Sequence, residues 1–128
     1  MPSPSTARQL RRAGGLLMLV IAGVHFQQYV DFMSEVPTVG VLFLLNAAGG
    51  TGLMIAMLSG DRLIGLLAMS GSIALALGSL ASIGIALGGS FFGYQEPTLR
   101  LPIVVAIVAE VLLVGVLTLP LIRNIRTG

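Results

Sequence analysis

Three polar side chains interrupt otherwise apolar runs in this chain. They are His25 in "VIAGVHFQQYVDF", Asn46 in "VLFLLNAAGG" and Glu110 in "VVAIVAEVLLVGV". Glu110 is the sharpest of the three. An ionised carboxylate without a partner is costly deep in an apolar span, so Glu110 must be neutral or paired and must face other helices. Its chemistry suits binding a proton or orienting a ligand. In a purely structural role it would hydrogen-bond Asn46 or a serine and fix helix packing. His25, the only histidine, is placed to meet interfacial water or to bond Glu110 across the bundle. Gln28 lies three residues further on and shares its helical face. With Phe32 the two continue a stripe suited to lining an outward-facing cavity. Glu110, His25, Asn46 and Gln28 are therefore the candidate ligand- or proton-binding residues, and no catalytic residue is assigned.

Other chemistries find little support. The chain has no cysteine, which excludes disulfides, thiol redox chemistry, Fe–S clusters and Cys-type zinc sites. A single histidine cannot supply a pair of axial haem ligands within one chain. A catalytic metal ordinarily takes about three protein ligands, and His25, Glu35 and Glu96 stand at no recognised spacing. "GGTG" lacks the Lys-Ser/Thr pair of a phosphate loop and sits inside an apolar run. No cofactor or metal is expected.

The elements that must position these groups are long apolar helices. Spans are expected at about 13–30, 37–58, 63–89 and 101–122, each long enough to cross a hydrocarbon core. Backbone groups in lipid must bond internally, so the spans are helical. Pro37 and Pro102 fall in the first turns of the second and fourth helices, where a missing N–H costs little. Ser59-Gly60-Asp61-Arg62 is a tight turn joining helices two and three. Pro120 is placed to kink the last turn of helix four. Residues 1–12 read as a cytoplasmic, mobile tail ahead of a four-helix domain, 13–128. The fold class is all-α, an integral membrane antiparallel four-helix bundle. Counted from the outer span ends, Asn46 and Glu110 lie about 13 Å deep and His25 about 8 Å.

Composition supports this class. Only 9% of residues are charged, against roughly 25% in soluble domains, and the mean hydropathy is +1.00. The high isoelectric point rests on a net charge of only +2, and no arginine cluster alternates with aromatics, so nucleic acid is not an expected partner. Six of the seven arginines (Arg8, Arg11, Arg12, Arg62, Arg123 and Arg126) fall on one side of the spans, and only Arg100 falls on the other. The positive-inside rule then places both termini in the cytoplasm, in a multi-pass plasma-membrane protein whose first partner is the lipid bilayer. The outer loop "SFFGYQEPTLR" either folds back over the outer mouth through Phe91, Phe92 and Tyr94 or dips into lipid.

Helix three is rich in small residues. Ala74, Gly78 and Ser82 continue at four-residue spacing, and Gly84 and Gly88 form a GxxxG. Such stripes let helices approach closely, here expected within the bundle, with a homo-oligomer or larger membrane complex as the alternative.

"VPTVGVLFLLN", from Val36 to Asn46, joins the late histidine of helix one and "GYQE", from Gly93 to Glu96, in a pattern that resembles a group of small four-span membrane proteins of actinobacterial type. The layout is also similar to DoxX-type four-helix proteins. The resemblance implies the fold and carries no activity. Two functions compete: a non-catalytic accessory or oligomeric membrane subunit, and a small transporter or ligand-binding protein using Glu110, His25 and Asn46.

Overall fold

The computed structural model describes residues 3–126. It consists of four antiparallel helices, α1 Pro4–Gln28, α2 Val39–Met57, α3 Arg62–Gly88 and α4 Leu101–Arg126, with no strand among the described residues. Consecutive helices pack side by side and α4 closes onto α1, so the bundle is a ring of four. All four helices are long and apolar enough to cross a membrane. Large apolar side chains such as Leu16, Leu45, Leu67 and Val108 point outward.

Local chemistry explains where the helices begin and end. The Ser3 hydroxyl accepts from the Thr6 amide at 3.1 Å, and Pro4 occupies the first turn, a pairing that suits a helix start. The residues before Ala13, read from sequence as a tail, are thus helical from Pro4 onward. At its far end α1 widens into a π-helical turn, Tyr29–Met33, closed by the Ser34 amide on the Tyr29 carbonyl at 2.9 Å. Pro37 lies just ahead of α2 rather than in its first turn. Thr38 follows with φ 64° and ψ −55°, and the Val39 amide reaches the Pro37 carbonyl at 2.7 Å. That is a γ-turn of the strained hand. A side chain at Gly40 would strike the Met33 carbonyl oxygen, so only glycine lets α2 start against the π turn.

At the opposite end Asp61 caps α3, its Oδ1 accepting from the Ile64 amide at 2.9 Å. Arg11 reaches across from α1 and donates through Nε to the Met57 carbonyl at 2.8 Å and through Nη2 to the Ser59 carbonyl. Met57 is the last residue of α2 and Ser59 lies in the turn beyond it, so neither carbonyl has a helical partner of its own. Pro102 falls in the first turn of α4, as expected, and the helix continues through Pro120 to Arg126.

The core is built from Met18, Ile21, Met57, Met69, Leu113 and Leu117 with alanines between them. Close approaches occur at glycines outside the α3 stripe. A Cβ at Gly14 would collide with Leu117, one at Gly50 would lie 3.2 Å from Met18 Sδ and 3.3 Å from Ala22 Cβ, and one at Gly71 would lie 2.9 Å from Leu53. At Gly78, Gly84 and Gly88 a Cβ would meet nothing within 4 Å. The expectation that these glycines pack tightly within the bundle is therefore corrected. The stripe faces a cavity on one side and the bundle exterior on the other.

Candidate functional site

The cavity lies in the half of the bundle that holds the α1–α2 and α3–α4 connections. Its volume is about 460 Å³. Walls of Val24, Val39, Leu42, Phe43, Leu75 and Ile83 make it largely apolar, and Ala74 and Gly78 line it from α3. Leu45 and Gly78 are lining residues that are also exposed, so the cavity opens sideways between α2 and α3. Its roof is the α3–α4 connection, through Phe91, Phe92 and Tyr94. Phe91 and Tyr94 exchange backbone hydrogen bonds at 2.8 and 2.9 Å. Phe92 and Gly93 between them have φ of 49° and 81°, the left-handed pair of a tight primed turn. Of the two sequence readings of this loop, the fold-back over the mouth is the one observed.

Three helices bring polar groups to the deeper part of the cavity, beneath Tyr94 and Glu96 of the roof. His25 on α1, Asn46 on α2 and Ser79 on α3 all line it. His25 Nδ1 lies 2.8 Å from the Ile21 carbonyl oxygen. A carbonyl only accepts, so Nδ1 carries the proton and donates. Nε2 then faces Ser79 Oγ at 3.2 Å and Glu110 Oε1 at 4.0 Å. The imidazole also packs tilted on Phe43, with ring centroids 5.1 Å apart, which fixes its plane. Glu110 is 0% exposed, and neither carboxyl oxygen has a hydrogen-bond partner among the described residues. It stands behind His25 and Ser79 rather than on the cavity wall. Asn46 Oδ1 is likewise buried without a partner, so the expected Asn46–Glu110 hydrogen bond does not form.

Gln28 also lines the cavity, where it joins a second network. It is 1% exposed, and its Oε1 accepts from Arg100 Nη1 at 2.8 Å. Arg100 also holds Glu96, with Nε 3.1 Å from Oε1, and its guanidinium carbon lies 4.7 Å from the centre of the Phe32 ring. Tyr94 completes the set by donating to Glu96 Oε2 at 2.7 Å. Burial, and next the bond to Glu96, pushes the Tyr94 phenol up to about 12. This network ties α1, α4 and the roof together at the mouth. Phe32 thus supports Arg100 instead of continuing the cavity stripe.

Sequence reasoning brought His25 and Glu110 together and missed Ser79, because α3 carries several serines and nothing in their spacing marks one. It noted Arg100 only as the lone arginine on its side. The i,i+4 spacing of Glu96 and Arg100 was the available signal for their pairing.

No family model, curated protein or solved structure matches this chain.

Proposed function

We propose that this is a multi-pass plasma-membrane protein that binds a lipophilic, hydroxyl-bearing molecule in the outer half of its bundle. The cavity carries the reading. It has room for a ligand of small-molecule size, largely apolar walls, a sideways opening where acyl chains would lie, and a few polar groups, His25, Asn46 and Ser79 among them. Asn46 Oδ1 is a buried acceptor without a donor, and such a group is costly until one arrives. A ligand hydroxyl supplies that donor, while Ser79 and the unprotonated Nε2 of His25 offer further contacts. The arginine distribution supports cytoplasmic termini, which turns the cavity mouth outward. The chemistry is binding, with no bond made or broken.

Purification in mild detergent, solvent extraction and mass spectrometry test this. The parent should yield a lipophilic hydroxyl compound at a fixed ratio to protein. Gly78→Leu fills the cavity and should abolish recovery, and Asn46→Leu should reduce it. Equal recovery from Gly78→Leu would reject the site. The accessory-subunit reading draws on one observation, the exposed Gly84 and Gly88 on the outer face of α3. A stoichiometric protein partner lost in Gly84→Leu would favour it.

A further inference from the structure

At the opposite end of the bundle lies a second cavity, of about 680 Å³. Five arginines line it from three elements: Arg8, Arg11 and Arg12 on α1, Arg62 at the start of α3, and Arg123 near the end of α4. No carboxylate is among its lining residues. The nearest acid in sequence, Asp61, is occupied as the cap of α3. Met57, Met69 and Pro120 form an apolar floor beneath the arginines. We propose that this cavity is a binding site for a phosphate-bearing anion.

Three of the arginines are already engaged, Arg123 among them. Arg11 holds the end of α2, and Arg62 donates to the Asn124 carbonyl at 2.6 Å. Arg8 and Arg12 are exposed on the same side of α1 and have no hydrogen-bond or ion-pair partner among the described residues. Setting membrane orientation requires arginines near the span ends. It does not require them to converge on one hollow, where like charges repel. Guanidinium groups suit phosphate oxygens because their paired N–H donors match the spacing of those oxygens. Asn124 adds an independent sign. It lines the cavity, and its Oδ1 is buried without a donor. A ligand hydroxyl, on a glycerol headgroup or on a singly protonated phosphate, satisfies it. The same phosphoryl chemistry occurs on anionic lipid headgroups and on free phosphates, and basic hollows between membrane helices are suited to such groups.

The test uses full-length protein in phosphatidylcholine nanodiscs, with thermal unfolding as the readout. One arm replaces part of the lipid with phosphatidylglycerol, and the other adds inorganic pyrophosphate to the buffer. At least one arm should raise Tm, with a dose response that gives an apparent Kd. A response to phosphatidylglycerol alone identifies a lipid headgroup, and a response to pyrophosphate identifies a water-borne phosphate. Arg8→Gln/Arg12→Gln should weaken the response about 30-fold, taking about 1 kcal/mol per arginine. Arg126→Gln removes a charge at the same end from a residue that does not line the cavity, and should leave the response intact. The inference is overturned if neither ligand shifts Tm, if the double variant responds like the parent, or if Arg126→Gln weakens binding as much as the double variant does.

Discussion

At the scale of single residues, the unusual group is Glu110. It has no exposure, no hydrogen-bond donor on either oxygen among the described residues, and an imidazole 4.0 Å away whose other nitrogen is committed to a carbonyl. Ser79 is the one hydroxyl beside it among the described residues, and a single hydroxyl does not replace the water a buried carboxylate loses, so we expect a neutral acid near pH 7. Infrared spectra of the protein in lipid check this. The parent should show a protonated-carboxyl band that Glu110→Gln lacks, and loss of a carboxylate band instead would establish a Glu110–His25 ion pair. Because its contact with Ser79 falls short of good hydrogen-bond geometry, Glu110→Leu should melt within a few degrees of the parent or above it, as expected when an apolar side chain of similar size replaces a poorly satisfied polar one. Tyr94 offers a second measurement. Its phenol is pushed up to about 12, so the folded state keeps a proton that the unfolded chain sheds near pH 10. The contribution is fully present below pH 10, and stability should fall as pH rises from about 10 to 12. Absorbance titration against Tyr94→Phe should show one phenol ionising late, and an ordinary titration would mean that the roof is open in solution.

At the scale of elements, the glycines divide by what stands opposite them. Gly50 on α2 faces Met18 and Ala22 of α1, where a Cβ would lie 3.2 and 3.3 Å from them. Gly50→Leu should therefore cost about 1–3 kcal/mol through forced displacement of α1. Gly78→Leu projects into open space and should unfold at or near the parent temperature. Paired melting curves in detergent decide this. Equal loss in both variants would mean that the cavity closes in solution and that α3 does pack through its small residues. The α1–α2 connection shows a different use of glycine. Gly40 permits the near-contact with the π turn, and that contact holds Thr38 in a left-handed conformation costly for a β-branched residue.

At the scale of the whole molecule, the bundle has chemically distinct ends. One carries the roofed apolar cavity and the Glu96–Arg100 pair, and the other carries the arginine-lined hollow. The six-to-one arginine distribution predicts that a reporter fused after Gly128 reads cytoplasmic and one inserted near Gln95 reads external. The reverse pattern would invert the membrane orientation and turn the apolar cavity inward. Each cavity would remain, and the proposed binding at each would then be assigned to the opposite leaflet.

Sequence by itself determined the number of helices, their antiparallel order and the level of each polar group along them. Apolar length, prolines near helix starts and the Ser59–Arg62 turn are local signals, and helical rise converts position into depth. It also placed His25 and Glu110 on facing helices. Only the tertiary structure decided which side of α3 meets a neighbour, because a helix apolar all round carries no stripe to mark its buried face. For the same reason Ser79, rather than another serine of α3, became the partner of His25, and Asn46 was left without one. The rotation of each helix about its own axis is set by side chains on other helices, such as Met18 against Gly50 and Leu117 against Gly14. Those contacts exist only once the bundle has closed.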